Sequence, residues 1–253
     1  MSYHFALENT DYSDLSAGRV LYSQPGQTAF PVRLASEIFQ RCQVLRAGLG
    51  LTGPVSIYDP CCGGAYLLTV LGFLHGGSIA AISASDISPH ALELARRNLS
   101  LLSLTGMDRR LGEINHYLQT YGKASHQAAL ESGVRLRQAL ASGLGSRLLP
   151  THVFPVDACR ALAVRQGLAG RMIDLVLADI PYGWKSAWSS AGQPGAVANV
   201  GGMLDALHPG LPSRCLLAIA SDKQQKVAHP DYRRLDRFQI GKRQVTILVR
   251  AGD

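Results

Sequence analysis

Val55-Ser56-Ile57-Tyr58-Asp59-Pro60-Cys61-Cys62-Gly63-Gly64-Ala65 passes from a short apolar run, through an acidic residue and a proline, into a turn of small residues. The run is too short for a helix and carries β-branched Val55 and Ile57, so it reads as a buried strand ending at Asp59. Residues 65–75 then read as a helix, residues 79–83 as a second strand ending near Asp86, and residues 89–102 as a further helix. Strand, glycine-rich turn, helix, strand and acidic residue make a βαβ unit, which requires a parallel sheet with helices on its faces.

Upstream of this unit, Pro31 is followed by apolar Val32, Leu34, Ala35, Ile38, Phe39, Cys42 and Leu45, the spacing of a helix with one buried stripe over residues 30–49. Gly48, Gly50, Gly53 and Pro54 stop it. Downstream, residues 106–149 interrupt the alternation with two helical segments, 111–121 and 125–141, separated by Gly122, and they read as an inserted helical hairpin. Alternation resumes with strands at 153–156, ending at Asp157, at 173–178, ending at Asp179, and at 215–220. Pro155 marks the first of these as short or near an edge. A strand over 245–249 closes the sheet. The organisation expected is an N-terminal helical extension over 1–54 and a main domain over 55–253 that carries the insertion.

Of 253 residues 47% are hydrophobic and 17% charged, which excludes disorder over most of the length. The five cysteines show no metal-ligand spacing, so no metal site is expected. The first residues resemble no secretory or transit peptide, and the longest apolar run, 65–74, is too short to span a bilayer; the expected setting is a reducing cytoplasm, away from membranes. The net charge of +7 is concentrated in the insertion, at +3, and in residues 214–253, at +5. Any one of these cations is ordinary solvated surface, but two clusters together point to phosphate contacts through Lys123 and Arg135 in the first and Lys223, Lys242 and Arg243 in the second.

Two stretches carry chemistry. Small residues at 63–65 allow a ligand to approach the backbone at the carboxyl end of a parallel strand, and Asp86 lies 23 residues beyond Gly63, about the spacing at which a carboxylate meets ribose hydroxyls. Asp179-Ile180-Pro181-Tyr182-Gly183 follows a buried strand with a carboxylate and a ring that suit a planar nitrogenous base, although alone the pentapeptide reads as well as a rigid turn. A nicotinamide-dependent oxidoreductase is disfavoured, because the turn lacks Gly-x-Gly-x-x-Gly.

Together, Asp59-Pro60-Cys61-Cys62-Gly63-Gly64, Asp86, Asp157 and Asp179-Ile180-Pro181-Tyr182 resemble the ordered motifs of Rossmann-like class I S-adenosylmethionine-dependent methyltransferases that act on base amino groups. Phe30-Pro31-Val32-Arg33-Leu34-Ala35, Ile38-Phe39-Gln40-Arg41, Tyr66-Leu67-Leu68-Thr69-Val70-Leu71-Gly72, Ala84-Ser85-Asp86, Tyr121-Gly122-Lys123 and Pro181-Tyr182-Gly183 are similar to AviRa-type 23S ribosomal RNA methyltransferases across nearly the whole chain. The resemblance implies a mainly parallel seven-stranded α/β sheet with helices on both faces. It implies a cofactor site in which Asp59, Pro60, Cys61, Gly63, Gly64 and Ala65 wrap the methionine part of S-adenosylmethionine, Asp86 and Ile87 meet its ribose, Asp157 and Ala158 border its adenine, and Asp179 closes the site. It implies catalysis by Asp179, Pro181 and Tyr182 on a base of 23S rRNA, guanine first, turned out of its stack in naked RNA or the large subunit, with the enzyme a monomer and orthosomycin resistance a consequence. Other readings are methylation of another RNA base or a protein amide, and a non-catalytic RNA-binding protein on the same fold. Ala65 stands where the family has glycine and would be strained if the position needs positive φ; Ile180 takes the variable place of the Asp-Pro-Pro-Tyr pattern.

Overall fold

The computed structural model describes residues 3–8, 10–16, 18–24, 29–143, 148–180 and 199–250. Its elements run α1 (Val32–Gly48), β1 (Val55–Asp59), α2 (Tyr66–His75), β2 (Ile79–Asp86), α3 (Pro89–Ser100), α4 (Leu104–Tyr121), α5 (Ala124–Gly143), β3 (Thr151–Pro155), α6 (Ala161–Leu168), β4 (Leu175–Asp179), α7 (Val200–Leu207), β5 (Leu216–Asp222), β6 (Tyr232–Ile240) and β7 (Arg243–Arg250). The strands form one sheet in the order β3-β2-β1-β4-β5-β7-β6. The pairs among β1 to β5 are parallel, whereas β7 is antiparallel to both β5 and β6. Strand order reverses between β1 and β4, so a crevice opens outside their carboxyl ends, where sheets of this kind take ligands.

Period-two alternation divides the strands between two cores. Val55 and Ile57 of β1, Leu216 and Ala218 of β5 and Val245 and Ile247 of β7 face a cluster that includes Leu34, Ile38 and Phe39 of α1, Leu68 and Leu71 of α2, and Leu92 and Leu99 of α3. Tyr58, Leu217, Ile219 and Leu248 face the other way, onto Val164 and Leu168 of α6 and Met203, Leu204 and Leu207 of α7. The segment before β1 thus packs on the same sheet as everything after it.

Three elements are absent from the sequence reading. Strand β6 carries Arg233, Arg234, Asp236 and Arg237 and is bulged between Arg234 and Asp236, which breaks the alternation that would have revealed it. It is the edge strand, so the strand read at 245–249 is the penultimate one and does not close the sheet. Helices α6 and α7 have eight residues each, and glycines interrupt both. The insertion also begins earlier than its apolar spacing indicates: Ser103 caps α4 by accepting the Gly106 amide, and a side chain at Gly106 would meet the Ser100 carbonyl 1.9 Å away. Strand β3 is short and lies at the other edge, as Pro155 requires.

A buried carboxylate ties the N-terminal segment to this framework. Glu37 of α1 has no exposed surface, and its oxygens accept hydrogen bonds from the amides of His4, Phe5 and Ala6 at 2.8–2.9 Å and from Arg41 Nε at 2.7 Å. Arg41 in turn donates to Asp236 of β6 at 2.9 Å and lies over the Phe238 ring. Burial alone would raise the Glu37 pKa, but the three amides and the guanidinium outweigh it and hold the carboxyl below its usual value. A lowered folded-state value means that this contribution is present above the unfolded pKa and is lost as pH falls through the folded one. Glu37→Ala, which strands Arg41 and three amides, is expected to destabilise the protein by about 3–5 kcal/mol, measured by urea unfolding at neutral pH, with the deficit shrinking in acid.

Candidate methyl-transfer site

The turn after β1 is shaped by contacts from three directions. Asn98 of α3, fully buried, donates through Nδ2 to the Gly64 carbonyl at 2.8 Å and the Tyr22 carbonyl at 3.0 Å, and accepts the Tyr22 amide at 2.8 Å. Gly64 sits so close to α3 that a Cβ there would lie 2.6 Å from Leu94 Cδ2, so any other residue would force the Leu94 side chain to shift. Asp59 accepts the Cys61 amide at 3.0 Å, and the Cys62 amide donates to the Ser85 carbonyl of β2 at 2.9 Å. Ala65 has φ 54° and ψ 29°, so the expected glycine position does require the left-handed region. Its conformation costs about 1–2 kcal/mol, partly offset by about 0.8 kcal/mol from the buried methyl.

The turn delivers the ribose candidate. Asp86, the last residue of β2, accepts the Gly63 amide at 2.9 Å through one oxygen and the Ser88 amide at 2.9 Å through the other, so its carboxylate bridges the β1 turn and the cap of α3. Lone pairs remain on both oxygens for two hydroxyls. Ile87 beside it is partly exposed. After β3, Asp157 accepts the Cys159 amide at 3.0 Å through Oδ1 and leaves Oδ2 buried, 3.6 Å from Arg160 Nε, while Ala158 is buried.

Asp179 ends β4 on the opposite side of the switch point. Burial pushes its pKa up to about 6, against the pull of Arg243, whose Nη2 lies 3.7 Å from Oδ2. Asp179 Oδ1 is buried and, among the described residues, has no hydrogen-bond partner. Asp59, at 2% exposure, is driven well above the carboxylate range by burial, with Asp179 and Asp86 adding like charge. Four carboxyl groups thus stand at the carboxyl ends of the adjacent strands β3, β2, β1 and β4, and two of them present an oxygen that, among the described residues, lacks a hydrogen-bond partner. A ligand with a ribose diol and amino groups supplies the donors these oxygens lack, so the residues fit the cofactor named by the resemblance. Pro181 and Tyr182 lie outside the described residues. Among the described residues, no group of three or more His, Cys, Asp or Glu side chains is arranged to hold a metal ion, and no helix is long and apolar enough to cross a membrane.

The cations separate into two kinds. Arg135 is paired with Asp14 through two hydrogen bonds of 2.7 and 2.8 Å, Arg137 with Asp108, and Arg110 is buried against Glu113 and the Val20 carbonyl, so much of the insertion's charge holds the protein together. Lys123 is exposed at the turn between α4 and α5, 5.9 Å from the Tyr121 ring centroid. Around it lie exposed Tyr117 and Tyr121, with His116 and His126, at ring spacings of 6.0–6.4 Å. The sequence reading missed these rings; the signal was an aromatic or histidine at 116, 117, 121 and 126 flanking the one lysine of the insertion. Lys223, just past β5, and Lys242, just before β7, are exposed at the carboxyl rim. Arg243 faces inward, onto Asp179, and is part of the site.

These features agree with comparisons to known proteins. The chain matches the family described as rRNA methyltransferase AviRa over residues 1–243. It is 42% identical over 252 residues to a 23S rRNA (guanine(2535)-N(1))-methyltransferase of Streptomyces viridochromogenes, an alignment that covers 100% of this chain and 97% of that protein. A solved structure of rRNA methyltransferase AviRa from Streptomyces viridochromogenes superposes with a TM-score of 0.85 at 40% identity, covering 99% of this chain and 96% of that one. TrmN from Thermus thermophilus, at 15% identity and a TM-score of 0.50 over 88% of this chain and 50% of its own, shares the fold alone. The sheet is that of class I S-adenosylmethionine-dependent methyltransferases, and the chain belongs to the AviRa family of rRNA methyltransferases.

Proposed function

We propose that the protein transfers a methyl group from S-adenosylmethionine to a ring nitrogen of a guanine in 23S rRNA, N1 by analogy with the Streptomyces relative. The observation that carries the reading is the row of carboxyl groups at one rim, with Asp157 Oδ2 and Asp179 Oδ1 buried and, among the described residues, lacking hydrogen-bond donors. Asp59, Pro60, Cys61, Gly63, Gly64 and Ala65 would hold the methionine part of the cofactor, Asp86 and Ile87 its ribose, and Asp157 and Ala158 its adenine. The cofactor supplies an electrophilic methyl on a sulfonium, whose departure leaves a neutral thioether. The chain therefore contributes position and electrostatics.

Guanine N1 carries a proton that must leave as the new N–C bond forms. Asp179, ionised above about pH 6, would take it or hydrogen-bond the neighbouring amino group, and Tyr182 and Pro181 would stack on the base and hold its edge. Lys123 with the surrounding rings, and Lys223 and Lys242 at the rim, would grip RNA phosphates and unpaired bases around the flipped nucleotide. Arg135 would join them only by leaving Asp14. The product modification would weaken binding of an orthosomycin antibiotic at the modified site, and the setting would be the cytoplasm. Mass-spectrometric mapping of 23S rRNA from cells with and without the protein tests the reading; a map with no added methyl group overturns it.

Asp86→Ala is expected to weaken S-adenosylmethionine binding by about 1.5–3 kcal/mol in calorimetric titration, since it removes a charged acceptor for the ribose hydroxyls. Asp179→Asn should abolish transfer yet stabilise the fold. The folded pKa of about 6 exceeds the unfolded one, so wild-type stability falls as pH rises from about 4 to 6, and the variant escapes that loss. A gain on the order of 1–3 kcal/mol at pH 8, vanishing below pH 4, is the expected outcome of thermal unfolding across pH. Neutralising Lys123, Lys223 and Lys242 together should weaken RNA binding and lower its salt slope by about one per lost phosphate contact, while cofactor affinity stays the same.

A further inference from the structure

Arg243 opens β7 and pairs in register with Asp222 at the end of β5, whereas Asp179 pairs with Ala220 of β5 from the other side. The guanidinium therefore reaches across β5 to the end of β4, where Nη2 lies 3.7 Å from Asp179 Oδ2. It also lies over the ring of Phe30, 5.1 Å from the centroid, and Phe30 is itself buried just before α1. The Arg243 and Asp179 side chains are 19% and 26% exposed, so the pair is screened much less than a surface ion pair. With Oδ2 turned to Arg243, Oδ1 is left without a hydrogen-bond partner among the described residues. Among the described residues, the charged and titratable groups beside Asp179 are Asp59 from β1 and Arg243 from β7; β5 presents Ala220 there.

We propose that Arg243 is the positioning residue of the methyl-transfer site: braced on Phe30, it turns Oδ2 of Asp179 toward itself and keeps the carboxylate ionised, so that Oδ1 is presented to the acceptor base as a hydrogen-bond acceptor. This rests on the reading of Asp179 as the carboxylate that meets the base. A phosphate-gripping arginine would be expected to project into solvent as Lys242 does; Arg243 instead has one face on an aromatic ring and one end on a carboxylate. The arrangement also assigns a task to the N-terminal segment, since Phe30 lies outside the main domain expected from the sequence. A cation is required here because burial opposes ionisation of Asp179, and on the described residues Arg243 is the group that pulls the other way.

The test is 13C carboxyl NMR titration of the full-length protein, with Asp179→Asn to identify the Asp179 signal, run beside pH profiles of methyl transfer to a 23S rRNA fragment. Arg243→Gln is expected to move the Asp179 midpoint upward from about 6 by about one unit or more. The acid limb of the rate profile should follow, so that transfer is about tenfold slower on that limb and the deficit narrows toward alkaline pH. Phe30→Leu, which keeps a buried apolar side chain and removes the ring, should shift both in the same direction by less, and it decides the matter if Arg243→Gln does not fold. Arg243→Lys should restore most of the midpoint. An Asp179 midpoint unmoved in every folded variant, or a rate loss of equal size at all pH values, overturns the proposal. Absence of methyl transfer by the wild-type protein would instead overturn the functional reading, while the NMR titration still reports on the pair.

Discussion

The side-chain amide of Asn98 joins three parts of the chain that are distant in sequence, through hydrogen bonds to Gly64 and to both backbone groups of Tyr22. Buried where no water can substitute, an amide has to be satisfied by the protein, and this one is satisfied only when α3, the β1 turn and the N-terminal segment are all in place. The close approach of Gly64 to Leu94 follows from the same contact. Once Gly64 is held there, the Gly63 amide points at Asp86, the Asp86 carboxylate is fixed by Ser88 as well, and the ribose candidate has a single orientation.

Holding four carboxyl groups along one rim is electrostatically unfavourable, and the protein handles each differently. Asp86 is satisfied by two amides, Asp157 has one amide with Arg160 3.6 Å away, and Asp179 has Arg243 3.7 Å away. Asp59 accepts only the Cys61 amide among the described residues, against burial and like charge, which favour its protonated form and so relieve its neighbours. The strained Ala65 and the raised Asp179 belong to the same pattern of local cost at a functional rim. The compensation lies elsewhere: Glu37, Arg41 and Asp236 form a fully engaged network far from the chemistry, which draws residues 4–6, α1 and β6 together.

The βαβ unit and the acidic strand ends were legible because both depend on local pattern. An apolar run, a turn of small residues and a carboxylate at fixed spacing appear in the sequence in the order in which the fold uses them. The conditional reading of Ala65 was settled by its φ of 54°. What stayed hidden depends on partners. The charges of β6 look like a solvated surface until α1 covers one side of the strand and Arg41 meets Asp236. Arg243 reads as one cation in a basic cluster, and only the antiparallel return of β7 beside β5 aims it at Asp179. Arg135 and Arg137 count as free charge in a composition but are spent on Asp14 and Asp108, residues remote in sequence or on the neighbouring helix.

The N-terminal segment is the clearest case in which a boundary drawn from sequence divides something that functions together. Leu15 accepts a hydrogen bond from the hydroxyl of Tyr66, the first residue of the helix that follows the β1 turn. Tyr22 completes the Asn98 contacts, and Phe30 supports the arginine that faces Asp179. The main domain carries the whole sheet, yet Asn98 beside its turn, Tyr66 at the start of the following helix and the arginine beside Asp179 each have a partner from residues before 31. Removing that segment would expose Asn98, Tyr66 and Arg243 at once, and the site would lose its geometry before the sheet lost its strands.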